Sequence, residues 1–182
     1  RDHTERMMEA FGVDLERRGN SITILPITDE QIHAPESIEV PGDISSAMYW
    51  IVLATILDGS DILIRDVGIN PTRTGAIDAL KEMGANIDLT NIRTSGGEQF
   101  ADIHVTSAKL HGTSFGEEII PRLIDEIPIL AVAEAFADGE TLITGASELR
   151  VKETDRLSVI TTEYNRLMPG AFKDTDSTLT II

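Results

Sequence analysis

Ile127-Pro-Ile-Leu-Ala-Val-Ala-Glu-Ala-Phe-Ala-Asp138-Gly139 decides the fold, because it repeats in kind an earlier stretch, Ile44-Ser-Ser-Ala-Met-Tyr-Trp-Ile-Val-Leu-Ala-Thr-Ile-Leu-Asp58-Gly59. Both are apolar on nearly every side, which predicts helices buried on several faces, and both end on Asp-Gly. The spacing from Asp58 to Asp138 is 80 residues, and the residues that follow repeat as well. Asp61 to Arg65 and Thr141 to Thr144 are short strand patterns. A helix starting at Pro71 with Asn70 as its cap ends at Gly84, and an amphipathic helix from Val151 to Leu167 ends before Gly170. Strands at Asn86 to Leu89 and Ala101 to Val105 close the first unit, and one at Ser177 to Ile182 closes the second. The class is α/β, built from repeated β-α-β-α-β-β units around central helices.

Outward from this repeat, Asp43 is placed to cap the helix from Ile44. Pro41-Gly42 breaks the preceding chain, which reads as a crossing segment. Arg1 to Phe11 is a helix with Met7, Met8 and Phe11 on one side, stopped by Gly12. A strand pair, Ser21 to Leu25 with Ser37 to Val40, is expected after it.

Composition excludes several classes. The 182 residues carry 15 Lys and Arg against 31 Asp and Glu, a formal charge of −16. That balance disfavours nucleic acid and anionic membrane surfaces, so an anionic ligand needs a local basic site. The longest apolar run, Met48 to Leu57, is interrupted by Thr55 and is too short to span a membrane. With no Cys, disulfides, thiolate metal sites and a Cys nucleophile are excluded, which fits the cytoplasm. His3, His33, His104 and His111 have no metal-ligand spacing, and no metal site is expected. The first residue is Arg, so a processed or excised chain is expected.

Chemistry-bearing residues concentrate in two motifs. Glu148-Leu-Arg-Val-Lys-Glu-Thr-Asp-Arg-Leu157 packs six charges into ten positions at a predicted helix start. Lys152 and Arg156, four apart, would share a face and repel unless an anion offsets them, and Glu153 lies three before Arg156. Phosphate or carboxylate binding is one reading, and a solvated face laced with ion pairs is the other. In Leu123-Ile-Asp-Glu-Ile-Pro128, Asp125 or Glu126 either caps the buried helix or serves as a general base. Asn70-Pro-Thr-Arg-Thr-Gly75 reads as a turn and cap, with phosphate binding assisted by Arg73 as the alternative. Ser45 and Ser46 have no neighbouring His to activate them. Gly96-Gly97 is an isolated turn pair.

Taken in order, Arg1-Asp-His-Thr-Glu-Arg6, Pro41-Gly-Asp-Ile-Ser-Ser-Ala47, Asn70 to Gly75, Leu123 to Pro128 and Glu148 to Arg156 closely resemble the 5-enolpyruvylshikimate-3-phosphate synthase family. The resemblance implies transfer of the enolpyruvyl group of phosphoenolpyruvate to the 5-hydroxyl of shikimate 3-phosphate, releasing phosphate on the shikimate route to chorismate and aromatic amino acids. It implies no organic cofactor, and glyphosate as an inhibitor at the phosphoenolpyruvate site. It also implies two lobes of three units each, every lobe an inside-out α/β barrel. Residues 1–40 would then end the middle lobe and 41–182 would partly build the second, with one unit over 41–105 and most of another over 106–182.

By the same resemblance Asp125 takes the proton of the attacking hydroxyl and contacts shikimate 3-phosphate. Lys152 binds shikimate 3-phosphate near the reacting oxygen, and Glu153 protonates the methylene carbon of phosphoenolpyruvate. Arg156 binds phosphoenolpyruvate, and Arg1 meets the shikimate phosphate. The family's early Lys, its Ser-Ala-Gln motif, an upstream Arg and a late Arg and Lys are not in this sequence. The missing portion of the enzyme is therefore an expected partner, and the chain alone is expected to be inactive. Leu167-Met-Pro-Gly170 departs from the family's turn. Two other readings are a UDP-N-acetylglucosamine enolpyruvyl transferase, against which the run Lys152 to Arg156 argues, and a non-catalytic binding or assembly module.

Overall fold

The computed structural model describes residues 1–182, apart from the side chain of Asp29. Helix α1 (His3–Ala10) is followed by a turn at Gly12, whose φ is +87° and where a Cβ would collide with the Gln31 carbonyl oxygen. The strand pair that follows is β1 (Leu15–Arg18) with β2 (Ser21–Ile24), joined at Gly19-Asn20. Ser37 to Val40, the expected partner of β2, forms no strand. Leu15-Glu-Arg-Arg18 lacks the apolar alternation used to find strands, and the two-residue Gly-Asn turn was the stronger signal. None of the described residues 1–40 is buried.

From Pro41 on the expected repeat is present. Helix α2 (Ile44–Ile56) is capped by Asp43, whose carboxylate accepts from the backbone N–H of Ser45 and Ser46. Strand β3 (Asp61–Gly68), helix α3 (Gly75–Glu82), and the long hairpin β4 (Asn86–Ser95) and β5 (Glu98–Thr106) complete the first unit. Its sheet has the order β3-β5-β4, and Gly42 bridges Val67 of β3 in parallel. The second unit runs through β6 (Ser114–Phe115), α4 (Ile120–Leu123), α5 (Ile127–Glu134), β7 (Thr141–Ile143), α6 (Arg156–Tyr164), β8 (Phe172–Asp174) and β9 (Leu179–Ile181). Its order is β6-β7-β9-β8, with β6 parallel to β7 and the rest antiparallel. Substituting Gly42 for β6, β3 for β7, β5 for β9 and β4 for β8 turns one sheet into the other.

Three sequence expectations shift. α3 begins at Gly75 instead of Pro71, because the Asn70 side-chain oxygen takes the N–H and hydroxyl of Thr72 at 2.8 and 2.7 Å and closes a turn that competes with helix. The predicted helix from Val151 to Leu167 is a 3-10 turn (Ser147–Val151), an extended link, and then α6. Lys152 sits in extended backbone, so it shares no helical face with Arg156. Finally α2 is buried on one side only: Met48, Ile51, Val52 and Thr55 are enclosed, whereas Tyr49 and Trp50 are each 61% exposed.

The core is continuous across the repeat. α2 packs on α5, and Met48, Ile51, Leu80, Ile103, Ile127, Leu130 and Leu149 are almost completely enclosed within one apolar cluster. Burial of such side chains stabilises by about 1.5–3 kcal/mol each. That cluster supports the turn before α5, where the first candidate residue lies.

Candidate active site

Asp125 occupies the turn between α4 and α5, flanked by buried Ile124 and Ile127. Its carboxylate faces outward and accepts from Arg1 at 2.8 Å and from Arg156 at 3.5 Å. These two cations come from positions 124 and 31 residues away. Arg1 is steered by its neighbour Asp2, which accepts from the buried Asn70 side chain at 2.9 Å and from Arg6 at 2.9 Å. Arg156 opens α6, whose cap is Asp155 accepting from the Ser158 N–H at 3.0 Å. Arg150 ties the segment before α6 to the sheet, reaching Asp155 at 2.8 Å and Asp174 at 2.6 Å. The fold thus brings four of the five expected residues to one place.

Glu153 is the fourth, donating no bond but accepting from Arg156 at 2.7 Å. Its carboxyl is held below the usual range by its own backbone N–H and by the Arg156 hydrogen bond and charge. It is therefore ionised at neutral pH while Arg156 stays beside it. Lys152, the fifth, turns to Glu148 at 2.8 Å and touches none of the other four through a hydrogen bond or ion pair. The exposed pairs Lys152–Glu148 and Arg156–Glu153 match the bland reading of that motif, and each adds little to stability. The reach of Arg156 to Asp125 goes beyond it, because a solvated face has no need of a partner on another element.

Glu126 was expected as a possible cap, and the structure corrects this. It occupies the cap position of α5 without any side-chain cap bond and is 1% exposed. Its Oε1 accepts from the Ser45 hydroxyl, lies 3.8 Å from Arg73, and Oε2 has no hydrogen-bond partner among the described residues. Burial pushes its pKa up, opposed by the Ser45 hydrogen bond and the Arg73 charge, with the Asp125 charge adding to the rise. The sequence did carry a signal: Glu126, Leu130 and Ala133 fall at the spacing of one buried helical face. Arg73, itself half-buried, also reaches Ser45 at 2.6 Å and the exposed Asp43 at 3.3 Å, and so joins Glu126 to the start of α2.

Two hollows lie near these residues. The larger, about 420 Å³, is almost wholly apolar and runs along α1 past His3, Met7, Met8 and Phe11. The other, about 240 Å³, is lined by residues that include His3, Pro41, Asp43, Asn70, Arg73 and Glu98 and meets the Glu126 group through Asp43 and Arg73. No three His, Cys, Asp or Glu side chains converge as a metal site among the described residues. No helix among them is long and apolar enough to cross a membrane.

The arrangement of two arginines around one carboxylate, with a second carboxylate at its edge, coincides with a sequence match over almost the whole chain. The family profile for EPSP synthase (3-phosphoshikimate 1-carboxyvinyltransferase) matches residues 1–181. The chain belongs to the EPSP synthase family. The 3-phosphoshikimate 1-carboxyvinyltransferase of Desulforudis audaxviator is 54% identical over 171 residues, covering 92% of this chain and 38% of the relative. That of Synechocystis is 53% identical over 173 residues, covering 92% of this chain and 37% of the relative. The solved EPSP synthase of Acinetobacter baumannii superposes with a TM-score of 0.91 at 44% identity, covering all of this chain and 40% of that one. The chain therefore spans well under half the length of the curated EPSP synthases it matches, and its two units are units of the enolpyruvyl transferase fold.

Proposed function

We propose that this chain supplies one wall of an active site that transfers the enolpyruvyl group of phosphoenolpyruvate to the 5-hydroxyl of shikimate 3-phosphate. The observation that carries the reading is the convergence of Arg1, Asp125, Glu153 and Arg156, from three separate segments, into one chain of ion pairs. Without substrate the cations are held by the carboxylates. Anionic substrates compete for them, so Arg156 on the phosphoenolpyruvate and Arg1 on the shikimate phosphate free Asp125 and Glu153 for proton transfer.

Asp125 then takes the proton as the 5-hydroxyl oxygen bonds to C2 of phosphoenolpyruvate, and Glu153 gives a proton to C3. Losing Arg156 to substrate removes a contact that holds the Glu153 carboxyl low, and the substrate anion beside it favours the neutral form further, so Glu153 takes up a proton from solvent before giving it to C3. Lys152 leaves Glu148 to neutralise charge near the reacting oxygen. The tetrahedral intermediate collapses as the C2–O bond to phosphate breaks, C3 returns its proton to Glu153, and Asp125 passes the hydroxyl proton to the leaving phosphate, which restores both carboxylates. No organic cofactor enters the scheme.

Residues 1–40 act as the end of the middle lobe and 41–182 as part of the second, with the rest of the enzyme as partner. Glyphosate would compete at the phosphoenolpyruvate side, and the cytoplasm is the expected compartment. The chain alone has negligible turnover, because donors must close on the substrate from both sides.

The test is phosphate release from the two substrates by this chain mixed with the separately produced remainder of an EPSP synthase. Activity that disappears with Glu153→Gln supports the reading. A mixture shown to assemble yet silent overturns it, as does turnover that survives both Glu153→Gln and Asp125→Asn.

A further inference from the structure

Asp125 is held by two long, flexible arginines, which do not by themselves fix where its carboxylate stands. What lies directly behind it is a buried carboxyl group that the proposed chemistry leaves unused. Glu126 is enclosed, yet its bonds run 81 residues back to Ser45, in the first turn of α2. Arg73 joins the same hydroxyl at 2.6 Å and Asp43 at 3.3 Å, and Asp43 in turn caps α2 through the Ser45 and Ser46 N–H groups. The Ile124 to Glu126 turn is therefore fastened by hydrogen bonds to the start of α2 and, through Arg73, to the Asn70 to Thr74 turn.

An apolar side chain at position 126 would fill the same buried space with no desolvation to offset. A half-satisfied buried carboxyl is an expensive way to fill it, because only one of its oxygens has a partner among the described residues. Directional bonds give what packing alone does not, namely a single arrangement of the turn relative to α2. We propose that Glu126 is a positioning residue, clamping the Asp125 turn onto the first turn of α2 through Ser45 and Arg73, so that Asp125 meets Arg1 and the substrate hydroxyl in one geometry. The kinetic side of this proposal rests on the function proposed above, and its structural side does not.

Three variants separate the possibilities. Glu126→Gln keeps an acceptor for the Ser45 hydroxyl, Glu126→Leu removes it while filling the space, and Ser45→Ala removes the donor. In the mixture with the remainder of the enzyme, Glu126→Leu and Ser45→Ala lose roughly 10–100-fold in kcat with KM for phosphoenolpyruvate within about threefold, the loss expected for a misplaced reacting group. Glu126→Gln stays close to the unmodified chain. Structures of the 182-residue chain carrying Glu126→Leu show the Asp125 carboxylate displaced by about 1 Å or more from Arg1. Unchanged kcat in Glu126→Leu, or an Asp125 carboxylate that keeps its place beside Arg1 in that variant, overturns the proposal. A mixture in which even the unmodified chain is silent defeats the function reading, and the variant structures alone then decide the role of Glu126.

Discussion

Replacing Glu134 by Leu should stabilise this chain, and by an amount that depends on pH. Glu134 is the last residue of α5, 2% exposed, with neither carboxyl oxygen hydrogen-bonded among the described residues. Burial alone pushes its pKa from an ordinary 4.5 up to about 8. The folded chain therefore keeps this proton to pH 8 while the unfolded chain releases it above 4.5. Between those values the unfolded state binds fewer protons, so this residue's contribution is complete below pH 4.5 and is lost as pH rises to 8. At about 1.4 kcal/mol per unit, the loss accumulated by pH 7 is on the order of 3 kcal/mol. Leu has nearly the same volume and no titration. Urea unfolding at pH 4.5 and pH 7 should show the advantage of Glu134→Leu over the unmodified chain growing by about 3 kcal/mol between the two. Glu134→Gln should abolish the same pH dependence while keeping the desolvation cost of a polar group. A difference between Glu134→Leu and the unmodified chain that stays constant from pH 4.5 to 8 would refute the reasoning.

Two further substitutions test how the site is supported. A Cβ at Gly75 would stand 2.8 Å from the carbonyl carbon and Cβ of Arg122, so Gly75→Ala should cost about 1–3 kcal/mol and lower Tm in a thermal melt; an unchanged Tm contradicts the close packing of α3 on α4. Asp43→Ala removes the cap of α2 and should cost about 1 kcal/mol at pH 7. Burial raises the Asp43 pKa, but its bonds to Ser46 and Ser45 outweigh this and hold it below the ordinary value. Its contribution is thus present above pH 4 and fades on acidification, so the gap between Asp43→Ala and the unmodified chain should close in chemical unfolding below about pH 4.

The repeat was legible because it rests on two signals that survive in any context. A helix apolar on nearly all sides must be buried somewhere, and an Asp-Gly stop sets its length, so Asp58 and Asp138 marked equivalent positions. The matching strand orders of the two sheets follow from that equivalence. What the sequence hid was the competition between local side chains and the backbone. Asn70 holds five polar atoms around itself, from Asp2, His3, Thr72 and Glu98, and so the turn expected at Asn70 to Gly75 forms while Asn70 does not cap α3. Likewise the exposure of Tyr49 and Trp50 has no sequence signature, because a side chain ready for burial looks the same whether or not a neighbour covers it.

The site divides along the same line. Spacing argued that Lys152 and Arg156 act as a cation pair on one helix face, and the backbone separates them, since Asp155 makes a better cap for α6 than any residue further back. Arg156 nonetheless reaches Asp125, a contact across 31 residues that no local pattern encodes. Glu126 shows the reverse case. Its phase with Leu130 and Ala133 fits a buried face, a signal the cap reading passed over, and only the fold brings Ser45 and Arg73 to meet it. Asp125 and Glu126 are adjacent in sequence and opposite in environment, one at the surface between two cations and one enclosed behind it. On the proposed reading, that contrast lets the same dipeptide both offer a carboxylate to a ligand and anchor the turn that offers it.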